Sequence, residues 1–299
     1  MADPGFTDLP GTANFTIEFD STLNTAAATA LGASIASTAE ADYALVNTWF
    51  DNLSPSGLPF NVKLNPKSAT RGGSNDGKKQ ITIDYGTTKN FPLAREVLIA
   101  EFIEILMAVQ NKGWVSSQSH GEGLSQFAGF FLVPSTAPGL TGPMVWLDTS
   151  VPPPAPASPP PSRPDFVGTT ENTDANAVSY GCALLFLYFL NSQLGFSPHA
   201  IVRAAAGTLE AVYRNLTLDT NGFTGFAALL AARFPPGIPS GLKGSTNPFP
   251  VPNPQRLSLS RYLTAHPLGG STVRDRIRTL NVGNLRAVLN SDRRASLLG

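Results

Sequence analysis

The chain has 299 residues, 42% hydrophobic and 14% charged, with 27 Gly and 26 Pro. That composition excludes a highly charged disordered protein and suits a folded one with a sizeable core and long loops. A formal net charge of zero gives the molecule as a whole no attraction for nucleic acid or for a membrane surface.

In chain order, residues 15–19 (Phe-Thr-Ile-Glu-Phe) alternate apolar and polar, the period of a half-buried strand. Residues 25–50 are Ala-rich, with Leu31, Ile35, Ala39, Tyr43, Val46 and Trp49 near helical spacing, which predicts one long helix. Alternation returns at 60–64 and 81–85, on either side of a Gly/Ser/Asn-rich stretch at 68–77. Pro92 opens a helix to about Asn111, and Gly113 ends it. A further helix is predicted from about Gly121 to Leu132.

Residues 134–164, with the run Val151-Pro-Pro-Pro, favour polyproline II and suit a border or a long surface loop. Helices are predicted at 174–194, 198–216 and 221–233. Coil follows, and two short Arg-bearing helices end the chain. The expected fold class is α+β: a small mixed sheet with helices, then a mostly helical second lobe and a cleft between them. The expected units are 1–133, a Pro-rich linker 134–173, a helical lobe 174–255 and a tail 256–299.

Cys182 is the single cysteine, which excludes a disulfide framework and a cysteine zinc site; within an apolar run it reads as a buried structural thiol. That run, Ala183 to Leu190, is too short to span a membrane. The first residues lack a charged start before an apolar stretch, so no signal peptide is expected and the compartment stays open. Sequons at Asn14, Asn52 and Asn215 occur at about the chance rate. The tail carries eight Arg against Asp275 and Asp292, leaving 13 basic and 19 acidic residues elsewhere. The plain reading is a basic tail docking on its own acidic body; an assembly role, with the tail docking a neighbour, is the alternative.

Chemistry concentrates in Glu96-Val-Leu-Ile-Ala100-Glu101-Phe-Ile-Glu104-Ile-Leu-Met-Ala108-Val109. Apolar residues cover most of that helix, and Glu96, Ala100, Glu101, Glu104 and Ala108 form one narrow stripe. Carboxylates on an otherwise apolar helix need a wet cleft, a cation or basic partners. A second signal is Ser119-His120-Gly121-Glu122-Gly123-Leu124-Ser125, which places Glu122 near the start of the next helix. No nucleophile elbow, phosphate loop or dinucleotide fingerprint is present. His199, in a first helical turn, reads as a surface residue and His266 as a loop residue.

Over about residues 13–235 this arrangement resembles the Glu-zincin metallopeptidases. That family carries His-Glu-x-x-His on one helix and a ligand Glu on a later one. The motif falls on Ala100-Glu101-Phe102-Ile103-Glu104. The resemblance makes Glu101 the general-base position and Glu122 the third-ligand position, with a spacing near that of thermolysin-like enzymes. It also allows Tyr180 a place as oxyanion donor, against a plain core role. The departure is chemical: Ala100 cannot coordinate a metal, and Glu104 offers oxygen in place of imidazole.

Three readings of the stripe follow: carboxylates lining a cleft and meeting Arg or water, a vestigial site, or a carboxylate-rich metal site of Glu104, Glu122 and His120. The expected function is a metallopeptidase-like protein with a degenerate zinc site, inactive as a protease, holding a peptide or protein in its cleft. No cofactor is expected on this reading. The alternative is an active metallohydrolase with zinc or another divalent cation.

Overall fold

A computed structural model describes residues 3–66, 72–85, 90–133, 141–151 and 162–240. The expected tail helices therefore lie outside the described residues. A five-stranded mixed sheet has the order β1-β2-β3-β5-β4, from β1 (Phe6–Leu9), β2 (Phe15–Asp20), β3 (Phe60–Asn65), β4 (Gly73–Asn75) and β5 (Gln80–Asp84). β2, β3 and β5 run parallel, with Ile17 beside Val62 and Val62 beside Ile81; β1 and β4 add antiparallel edges. A parallel pair needs a crossover, and α1 (Thr25–Trp49) supplies it between β2 and β3.

The alternation seen in the sequence puts Phe15, Ile17, Phe60, Val62, Leu64, Ile81 and Ile83 on one buried face. α1 and α2 (Phe91–Gln110) contribute Tyr43 and Phe102, whose rings meet Phe15 with centroids 6.0 and 6.2 Å away. Arg95 of α2 grips the buried Asp42 of α1 with two bonds of 2.7 Å, fixing the two helices to each other. Local chemistry sets the helix starts: the side chains of Asn24 and Asn90 accept from Ala27 N and Leu93 N. Asn111, left-handed at φ 48°, closes α2.

α3 (Ser119–Leu132) lies against α2 on one side and α5 (Ala177–Tyr188) on the other. The close approach to α5 needs Gly123, where a Cβ would stand 2.6 Å from that of Ala183. Every residue of α5 from Gly181 to Tyr188 is buried, Cys182 included, and burial holds that thiol's pKa far above its ordinary value. A π-helical turn, Phe189–Gln193, extends it, with Leu194 N donating to Phe189 O. α4 (Thr141–Asp148), α6 (Pro198–Arg203), α7 (Leu209–Thr217) and α8 (Gly222–Arg233) complete a second core, where Trp146 stacks on Phe226 at 5.6 Å.

Four local expectations are corrected. Strands β1 and β4 lie where no strand was expected. The coil expected at 134–164 contains α4, held where Trp146 Nε1 donates to Pro164 O and Arg163 donates to Leu147 O. The helix expected at 198–216 is broken into α6 and α7, because Thr208 caps a new helix by accepting from Ala211 N. Val109, expected on the buried surface of α2, is 41% exposed.

Candidate functional site

The face of α2 left without apolar side chains opens onto a cleft of about 1000 Å³. Leu93, Glu96, Val97, Ala100, Glu101 and Glu104 form its floor at helical spacing. β4 walls one side, Glu122, Ser125 and Gln126 of α3 another, and Asp174, Ala175 and Tyr180 close it from the start of α5. The structure thus brings Ala100, Glu101, Glu104, Glu122 and Tyr180 together. His120 it does not: the ring is buried, stacks on Trp114 and bonds through Nε2 to Gly113 O at 2.9 Å. A carbonyl accepts, so Nε2 carries the proton, and the buried Nδ1 has no partner among the described residues. Burial lowers the pKa of His120, against the opposing pull of the bond to Gly113. His199 is where the sequence put it, on the surface, 3.0 Å from Asp51.

β4 is the part of the site that the sequence concealed. Asp84 N donates to Gly72 O and Asp76 N to Gln80 O, so the alternation of an antiparallel ladder makes Ser74 face β5. The backbone groups of Gly73 and Asn75 therefore point away from β5, and both residues line the cleft. Gly73 lets the strand lie directly on α2: a Cβ there would be 2.4 Å from Val97 Cγ1 and 3.0 Å from Glu101 Oε1. The Asn75 side chain accepts from Gly77 N through Oδ1, which fixes its amide orientation. Its Nδ2 then donates to both Glu101 Oε2 and Glu104 Oε2 at 2.8 Å. One amide thus joins the edge strand to the two carboxylates.

Glu104 and Glu122 lie within hydrogen-bond reach of each other, and Gln126 Nε2 donates to Glu122 Oε1 at 2.6 Å. Burial raises the pKa of both, and each is raised further by neighbouring carboxylates: Glu101 for Glu104, Glu104 and Asp174 for Glu122. Close approach of the two carboxyls opposes ionisation of both, so the pair holds its protons more tightly than free carboxyl groups do. Glu96, buried and near Glu122, is pushed up to about 7.

The donor set does not fit a zinc ion of the zincin kind. Ala100 has no donor atom, His120 is engaged outside the cleft, and no three His, Cys, Asp or Glu among the described residues are grouped to hold a metal. Among the described residues, the arrangement provides a groove with an unpaired strand edge on β4, amide donors, and Glu96, Glu104 and Glu122, whose pKa values burial raises. No helix of the described residues is long and apolar enough to cross a membrane. No protein-family model matches the chain, and no match was found among curated proteins or solved structures.

Proposed function

We propose that the chain is a zincin-like, metallopeptidase-derived protein that holds an extended peptide in its cleft without hydrolysing it. The observation that carries this reading is positional. Ala100, Glu101 and Glu104 on one helix and Glu122 on the next, matched to the family by sequence spacing, all line the one cleft walled by β4. In a Glu-zincin these positions hold zinc and the general base. Here Glu101 keeps its place, but no zinc-bound water stands before it to be activated, since the donor set fits no zinc. The open edge of β4 supports a peptide ligand: Gly73 and Asn75 offer two N–H and two C=O groups to an added strand.

The chemistry left to the site is therefore binding. Peptide backbone pairs with β4, and the carboxyl groups of α2 and α3 receive donor side chains. The test is incubation of the purified full chain with a diverse peptide library, with and without added zinc. Peptides retained by the protein and recovered uncut are the expected result. Turnover with zinc that is lost in Glu101→Gln would overturn the reading in favour of a working hydrolase.

A further inference from the structure

Resting on that peptide-groove reading, we propose that Asn75 is the positioning residue of the groove: by bonding to Glu101 and Glu104 it holds β4 in the extended form with which a peptide pairs. A strand of three residues, one of them glycine, has little preference for extension of its own. β5 holds it on one side, where Asp84 N donates to Gly72 O and Asp76 N to Gln80 O. The groups offered to a peptide lie on the other side, at Gly73 and Asn75, and among the described residues no strand pairs with them. That edge has to be fixed from off the sheet.

Asn75 has the donors and the acceptor for this. Its Oδ1 accepts from Gly77 N at 2.9 Å, which leaves both Nδ2 hydrogens for α2. One goes to Glu101 Oε2 and one to Glu104 Oε2, each at 2.8 Å. The two acceptors are neighbours on one helix face, so the pair of bonds fixes the strand both above α2 and along it. The turn that follows is fixed as well, since Asp76 Oδ1 accepts from the N–H groups of Lys78, Lys79 and Gln80. At the other end of β4, Gly73 lies directly on Val97 of α2. Ordering this edge in the free protein removes a cost that peptide binding would otherwise carry.

The nearest substitute in shape lacks the chemistry. An aspartate here would offer acceptors only, and would set a third carboxyl against two others. Glu104 also faces Glu122 and Ser125 of α3 and Asp174 ahead of α5. Burial and the neighbouring carboxyls raise its pKa to about 7, against the bonds from Asn75 and Ser125.

The probe is the labelled pool of library peptides that the unaltered full chain retains. Asn75→Ala should weaken its binding about tenfold at both pH 5 and pH 8, the weight of one charge-assisted hydrogen bond. Asn75→Asp should weaken it at least as much at pH 8 and restore it to within about twofold at pH 5, where a proton on Glu104 or on the introduced carboxyl replaces an Nδ2 hydrogen. A side chain that only filled space would show no such rescue.

Hydrogen exchange without peptide reads the same assignment directly. The amides of Asp76 and Asp84, which bond across β4 and β5, should exchange faster in Asn75→Ala than in the unaltered chain. Unchanged exchange, equal peptide affinity in Asn75→Ala, or an equal loss in Asn75→Asp at both pH values overturns the role of Asn75 and leaves the groove in place. Retention of no peptide by the unaltered chain sinks both.

Discussion

At the scale of single residues, two side chains decide the character of the cleft: Ala100, which offers no donor atom on its floor, and Asn75, which holds Glu101 and Glu104 together. Position 100 drew attention in the sequence because Ala100, Glu101 and Glu104 form a stripe on an otherwise apolar helix, and the structure places that stripe on the floor of the cleft. Asn75 drew none. Its contacts cross 26 and 29 residues of chain, and nothing local separates it from an ordinary turn residue before Asp76-Gly77. Asp174 escaped for the same reason, and Glu96, read as part of the stripe, could not be placed beside Glu122, since only tertiary packing brings them together.

The raised pKa of Glu122 has a consequence opposite to that of a salt-bridged acid. The folded state binds its proton more tightly than the unfolded chain, where the value is near 4.5. Stability is therefore fully present below that value and is lost as pH rises from there through about 8, where the folded group ionises. Glu122→Gln should leave stability unchanged at pH 4 and raise it at pH 8 by on the order of 1–2 kcal/mol, after allowance for a site open to solvent on one side. Urea unfolding at the two pH values checks this; a stabilisation at pH 4 equal to that at pH 8 would show that the carboxyl is not strained.

At the scale of elements, periodicity revealed what the core dictates and missed what neighbours impose. β3 and α1 each bury a regular face, β2 and β5 alternate over most of their length, and α2 and α3 are apolar on most sides, so spacing and apolar runs identified all six. β1 and β4 are edge strands of four and three residues, too short to show a period, and Gly-Ser-Asn has little strand preference of its own. α4 was hidden by the prolines around it, and the break between α6 and α7 comes from a cap, Thr208, inside an apparently continuous helical pattern.

The α3–α5 contact sets the depth of the cleft, and it depends on Gly123 having no side chain. Gly123→Ala should cost about 1–3 kcal/mol by overpacking, read as a lowered urea midpoint. An unchanged midpoint would mean that α3 and α5 are free to part.

At the scale of the molecule, a sheet-and-helix core carries the glutamates of α2, and a second helical core holds α3 against them. The result is a cleft floored by α2 and lined with carboxyl groups, which under the proposed reading is a peptidase site without its imidazoles. The account turns on position: residues 100, 104 and 122 must stand where three zinc ligands would converge. Elemental analysis of the double variant Ala100→His, Glu104→His, purified with zinc and dialysed, measures this most directly. The account expects one tightly held zinc per chain, lost when Glu122→Gln is added. A folded double variant that retains no zinc would contradict it.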